Sequence, residues 1–190
     1  MKKFVVELNS KSVKNTIKLL NQEKKRIEQA TKEYFELSAD WIINRANEIL
    51  DRSDIGENIK SEIFGGWDTE WISPSHLKIV NHSRKSVYVE FGVGIIGQTD
   101  KHPNADETGY EYNVESSKKF GQGFWQFVVP SEDYLDLPQK AIIYQDDDKY
   151  GLSITTQGTQ GVWYLFNAVE DFKVSKQKPL WEQVKKKYWS

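Results

Sequence analysis

The sequence predicts an α+β fold: a long N-terminal helix packed on a mostly antiparallel β-sheet, closed by short C-terminal helices. Three observations predict it. No proline or glycine occurs between Met1 and Ile55, and apolar residues recur there every three or four positions, the period of an amphipathic helix. Over residues 59–156 the apolar runs are short and separated by turn residues, with no crossover helix between them, which favours antiparallel pairing. Residues 162–190 return to helical spacing. A chain of 190 residues suits one domain, with a helical part (10–55), a β-rich part (57–161) and a C-terminal helical part (162–190).

In chain order, residues 1–9 read as an extended arm with Phe4-Val5-Val6 as an edge strand. Ser10 or Ser12 supplies a helix cap. Val13, Ile17 and Leu20 then form an apolar stripe over a short helix at 12–21. The polar stretch Asn21-Gln22-Glu23-Lys24-Lys25 reads as a joint before a second, long helix at 23–52. Such a length exceeds what a small core needs, so part of it is expected on another subunit.

Residues 59–64 fit a strand or one helical turn equally well. Residues 67–72 alternate apolar and polar, as a half-buried strand does. Residues 77–80 and 87–91 read as a hairpin around the polar turn 81–86. Gly92 and Gly94 mark a strand exit, because the third glycine and the helix of a phosphate cradle are missing.

The segment 97–117 is polar, with a single proline, and predicts an exposed, mobile loop that closes on a strand at 110–114. Strands are expected next at 124–129, 141–144 and within 151–161, with turns at 135–138 and 146–148. Residues 162–166 are continuously apolar, and together with residues 167–172 they favour a helix at 163–172. After Pro179 a basic helix at 180–188 presents Trp181, Val184 and Tyr188 on one face.

Net charge is −2, which makes no global case for nucleic acid, yet the charge is segregated. Residues 11–32 hold seven basic and two acidic side chains, residues 100–148 eleven acidic and four basic, and residues 173–187 six basic and one acidic. Complementary patches on neighbouring subunits are one outcome of such segregation; oppositely biased solvated faces are the other. The chain has no cysteine, which fits folding in a reducing cytoplasm. No export segment or membrane span is expected.

Little in the sequence points to chemistry. His76, His82 and His102 lack metal-ligand spacing and read as surface residues. Asp146-Asp147-Asp148 lacks the spaced ligands of a calcium loop. Glu90, among apolar neighbours, is the one candidate for a perturbed carboxylate. With no base or nucleophile beside it, it reads as structural, accepting hydrogen bonds from the glycine turn just after it. No serine has a nucleophile-elbow context. No cofactor and no enzyme are expected. Of the seven tryptophans, Trp125 and Trp163 read as core, and Trp67 and Trp71 as core or a stacking platform. Trp181 and Trp189, with Lys185 nearby, read as interface residues.

Three elements carry a resemblance. They are Tyr88-Val89-Glu90-Phe91-Gly92; then Gly109-Tyr110-Glu111-Tyr112 with the downstream Gly123-Phe124-Trp125; then Tyr164-Leu165-Phe166-Asn167-Ala168. In this order the chain resembles the small neck, or tail-completion, proteins of long-tailed bacteriophages, whose signature includes Tyr-Val-Glu-Phe-Gly. It departs from them at Asp54-Ile55-Gly56, where many have a proline and a Thr-Gly pair, and in the polar insertion between Gly94 and Gly109. The resemblance implies a non-enzymatic virion protein, made in the host cytoplasm or from a prophage. It would act in a homo-oligomeric ring with other neck and tail proteins, either already associated or monomeric when free, without a membrane or direct DNA contact. The competing expectation is a glycan- or nucleic-acid-binding module built on the tryptophans.

Overall fold

Nothing between Ser10 and Asp51 breaks a helix, and in the computed structural model these residues form one uninterrupted α-helix, α1. At 1.5 Å per residue it is about 63 Å long. The expected joint at 21–25 is absent. Arg26 pairs with Glu23 at 2.9 Å and Lys24 with Glu28 at 3.8 Å, so charges three and four apart support the turns that apolar contacts do not.

The structure describes residues 10–112, 125–129, 142–143, 152–156 and 158–190. After α1 come α2 (Glu57–Gly65), β1 (Trp67–Ser73), β2 (His76–Asn81), α3 (Arg84–Phe91), β3 (Gly92–Val93), α4 (Gly94–Thr99) and α5 (Ala105–Thr108). Beyond these lie β4 (Trp125–Val129), β5 (Ile142–Ile143), β6 (Leu152–Thr156), β7 (Gly158–Gln160), α6 (Tyr164–Asp171), a π-helical turn (Phe172–Lys176) and α7 (Gln177–Trp189). Among the described residues every strand pairing is antiparallel: β1 with β2, β3 with β7, and β6 between β4 and β5. The fold class is α+β, as the sequence predicts. The expected arm at 1–9, the turns at 135–138 and 146–148 and residues 113–117 lie outside the described residues.

The core lies between the second half of α1 and the C-terminal helices. No side chain from 11 to 29 is buried, whereas Ala30, Ala39, Ile42, Ala46 and Leu50 are. Opposite them, Tyr164, Ala168 and Phe172 recur every fourth residue, and Leu180 and Val184 continue the contact. Burying each large apolar side chain contributes roughly 1.5–3 kcal/mol. Arg45 Nε donates to Asp171 at 2.7 Å, and Lys187 and Tyr188 both reach Glu33. In the π turn the Gln177 N–H bonds the Phe172 carbonyl five residues back, and Pro179 then sits inside α7 rather than ahead of it.

The β1–β2 hairpin leans on the same helix. Trp67 Nε1 donates to Asn47 at 2.7 Å, and the Trp71 ring meets Phe35 edge-on at 5.9 Å.

Of the two alternatives for residues 59–64 the helix holds, inside α2. Three sequence expectations are corrected. Residues 87–91 are not a strand but the end of α3, so the hairpin partner of residues 77–80 is residues 68–71. The polar stretch read as its turn is a helix start. The Asn81 side chain accepts from the Ser83 N–H at 3.0 Å, and Ser83 Oγ accepts from the Lys85 N–H at 3.2 Å, a side-chain N-cap. Segment 97–108 is folded rather than a loop, with α4 and α5 flanking the buried His102 and the buried Ala105 opening α5, and residues 110–112 form no strand.

Glycines let two backbones touch where β3 meets β7. Gly158 has φ +105°, and a Cβ on it would overlap the Val93 carbonyl. Gly109 also has positive φ, +68°, but faces open space. Gly158→Ala is therefore expected to destabilise by more than the ~1 kcal/mol that backbone strain alone costs, and Gly109→Ala by about that amount. Chemical denaturation of the two variants measures the difference.

Candidate functional site

Helix α6 begins without a cap of its own. Its N-cap residue is Trp163, whose indole cannot accept a hydrogen bond from the first turn and whose φ is +54°, a conformation that is strained for a bulky residue. The first backbone N–H groups of a helix lack partners within it. They are satisfied from another part of the chain: the Leu165 N–H donates to Glu90 Oε2 and the Phe166 N–H to Glu90 Oε1, each at 2.8 Å. The negative carboxylate also lies at the positive end of the helix dipole.

The main chain runs alongside the side chain. Val162 N–H donates to the Val89 carbonyl at 2.8 Å and Trp163 N–H to the Glu90 carbonyl at 3.2 Å. A Cβ on Gly161 would come within 2.5 Å of the Glu90 carbonyl, and one on Gly92 within 2.5 Å of Gly161 N. Only glycine permits so close an approach.

His102 closes the other side of the carboxylate. Its Nδ1 accepts from the Asn104 N–H at 3.0 Å, which leaves the ring proton on Nε2, 3.1 Å from Glu90 Oε1. The imidazole lies 4.2 Å from the Phe91 ring and edge-on to Phe166 at 5.3 Å. Tyr110 stacks on Phe91 at 4.5 Å and donates its hydroxyl to the Gly92 carbonyl at 2.7 Å. Tyr112 OH accepts from the His102 N–H at 2.7 Å. Glu90 is 7% exposed and gives its oxygens to three protein donors.

Most of the residues singled out in the sequence meet at this junction. Glu90, Phe91 and Gly92 join Tyr110, Tyr112, Leu165 and Phe166 there. Val89 and Ala168 are buried in the core beside it, and the Asn167 N–H donates to the Trp163 carbonyl at 2.9 Å within the helix start. Tyr88 instead points outward, 56% exposed. Gly109 ends α5 in the left-handed conformation. Trp125 stands on β4, and its side chain lies outside the described residues.

Three readings are corrected. The donors to Glu90 come from α6 and His102, not from the glycine turn. His102 is buried rather than a surface histidine, and no local spacing marks it, because its partner is twelve residues earlier. Trp163, read as core, is half-buried, with its Nε1 enclosed and without a hydrogen-bond partner.

Three outer surfaces complete the candidate features. The first half of α1 exposes Val13, Ile17, Leu19, Leu20 and Ile27. A groove of about 520 Å³ runs along Val87, Phe91, Thr108, Gly109, Tyr110 and Glu111. At the C-terminus, Trp181 and Trp189 are each more than a third exposed, their rings 6.4 Å apart, while Trp181 also meets Tyr34 at 5.4 Å. Lys185 pairs with Glu182 at 3.4 Å in solvent. Among the described residues no three His, Asp or Glu side chains gather to hold a metal ion, and no helix is long and apolar enough to cross a membrane.

The junction predicts two outcomes. Glu90→Gln replaces one acceptor oxygen by a donor facing N–H groups, and is expected to lower stability by ~1.5–3 kcal/mol in denaturant melts. Burial pushes the Tyr164 hydroxyl up to about 12, with Ser86 opposing and Glu90 adding to the rise. The folded protein thus holds this proton more tightly than the unfolded chain does. The contribution is full below about pH 10 and lost as pH rises towards 12. Tyr164→Phe should flatten that alkaline decline, read by thermal melts across the range.

Comparison with protein families, curated proteins and solved structures finds no match to this chain.

Proposed function

We propose that this chain is a non-enzymatic structural protein of the neck or tail end of a long-tailed bacteriophage. In this reading it is one subunit of a closed ring that completes the tail or joins it to the DNA-filled head. One observation carries the reading: residues from each of the three sequence elements that resemble the phage neck proteins meet at one buried junction. Glu90 and Phe91 come from the first, Tyr110 and Tyr112 from the second, Leu165 and Phe166 from the third. Each element is short. The first and third join directly through the Glu90 carboxylate, and Tyr110 and Tyr112 pack on its neighbours Phe91 and His102.

The exposed first half of α1 adds support, since a long helix with unburied aliphatic residues suits a subunit that completes its packing in an assembly. Other neck and tail proteins are the partners, and the virion is the site of action, after folding in the host cytoplasm. A stacking module built on tryptophans has less support: Trp67 packs on Tyr164 and Trp71 on Phe35, so both rings are engaged by the fold.

The gene, deleted from the phage or prophage that carries it, should give separate heads and tails, or tails with abnormal ends, in electron micrographs. Normal infectious particles would overturn the reading.

A further inference from the structure

We infer that the first half of α1 docks into the groove between α3 and the turn after α5 on a second copy of this chain. The contact is head-to-tail and joins two different surfaces. The inference rests on the ring-subunit reading for its purpose, and on the shape and charge of the two surfaces for its content.

The helix side is a seam. Val13, Ile17, Leu20, Lys24 and Ile27 succeed one another at alternating spacings of four and three, the heptad pattern of a helix that buries one narrow stripe against a partner. The aliphatic members are 41–53% exposed, and residues 11–29 span about 28 Å of helix. Among the described residues nothing of this chain covers that stripe.

Charge decides what covers it. Seven basic and two acidic residues lie in 11–32, a surplus of five positive charges. Two such helices side by side repel, and a parallel pair would set Glu23 against Glu28 of its neighbour as well. An isologous helix pair is thereby disfavoured, and the complement has to be apolar with an acidic rim.

The groove is such a surface. Val87, Phe91 and Tyr110 form its apolar floor, and Glu111 lines it. Val87 and the neighbouring Tyr88 are 47% and 56% exposed. Asp100, Asp106, Glu107 and Glu111 are all exposed along the adjoining segment, where the single lysine, Lys101, is already paired with Asp106. Arg84 lies one turn earlier on the same face of α3 and lessens the acidic bias without cancelling it. The groove is shallow and open, so aliphatic side chains of a helix can lie across it. The same chain thus carries a basic apolar ridge and an acidic apolar groove, and surfaces that differ generate rings when the rotation closes.

The test uses the full chain in sedimentation velocity over a range of concentrations, at low and at high salt. Wild type should self-associate, more weakly in high salt, because exposed charges are screened over ~8 Å at physiological ionic strength. A ridge variant, Ile17→Asp with Leu20→Asp, and a groove variant, Val87→Asp with Glu111→Lys, should each raise the dissociation constant by at least about tenfold, the effect of losing ~1.4 kcal/mol. Both sets of side chains are at the surface, and circular dichroism checks that the fold is kept. The deciding sample is the mixture. Each variant retains one good surface, so ridge and groove variants together should form a dimer and nothing larger.

A mixture that stays monomeric while wild type associates would overturn the inference, as would a groove variant that associates like wild type, the mark of an isologous helix contact. So would wild type that remains monomeric at high concentration and low salt, or association that neither variant weakens. These failures leave the virion reading standing if deletion of the gene still yields defective particles.

Discussion

One carboxylate reaching a helix start 75 residues away organises this molecule. A buried helix N-terminus needs acceptors for its first N–H groups, and an unpaired buried donor costs about 1–3 kcal/mol. α6 opens with a tryptophan in the left-handed region, which brings no acceptor. Glu90 answers that need from α3, and the requirement propagates outward. The two backbones must run in contact, so Gly92 and Gly161 have no side chains. The carboxylate must be walled from water, so His102, Phe91 and Phe166 close over it. α6 then lies along α1, with Tyr164 and Ala168 buried in the core they share with Ile42, Ala46 and Leu50.

The sequence showed the fold class because its cues are periodic and local. The helix of α1, the alternation in β1 and the C-terminal helices all arise from spacing that one segment carries by itself. It misplaced residues 84–91 because a cap and a turn use the same residues. Asn81 and Ser83 serve a hairpin or a helix start equally well, and only the buried position of Glu90 beside α6 decides between them. The role of Glu90 was half legible: an acidic residue among apolar neighbours marks a buried acceptor, but the donors lie on α6 and in the segment around His102. His102 itself carried no signal, since its burial arises from packing between segments that share no local pattern.

Helix α1 divides into two halves held by different forces. From Ala30 onward it is fixed by apolar contact with α6, α7 and the hairpin. Before that, among the described residues, it has intrinsic helix preference and surface ion pairs such as Arg26–Glu23. Ion pairs of this kind contribute ~0.3–0.5 kcal/mol each and weaken in salt. The first half is thus easily unwound and easily ordered on a partner, while the second half anchors it to a rigid body.

The π turn at Phe172–Lys176 sets the azimuth of everything after it. A bond spanning five residues instead of four inserts one extra residue into the helical path, a phase change of roughly 100° about the axis. Without that offset, the stripe of Tyr164, Ala168 and Phe172 would continue through Lys176 rather than pass to Leu180 and Val184. The extra residue rotates the basic side chains outward and brings α7 back onto α1, and it does so just ahead of Pro179, where a regular helix would have to break a hydrogen bond anyway. The C-terminal tryptophans therefore take their outward bearing from a one-residue slip several positions upstream. A deletion there would leave every other residue in place and aim that whole end of the molecule in a different direction.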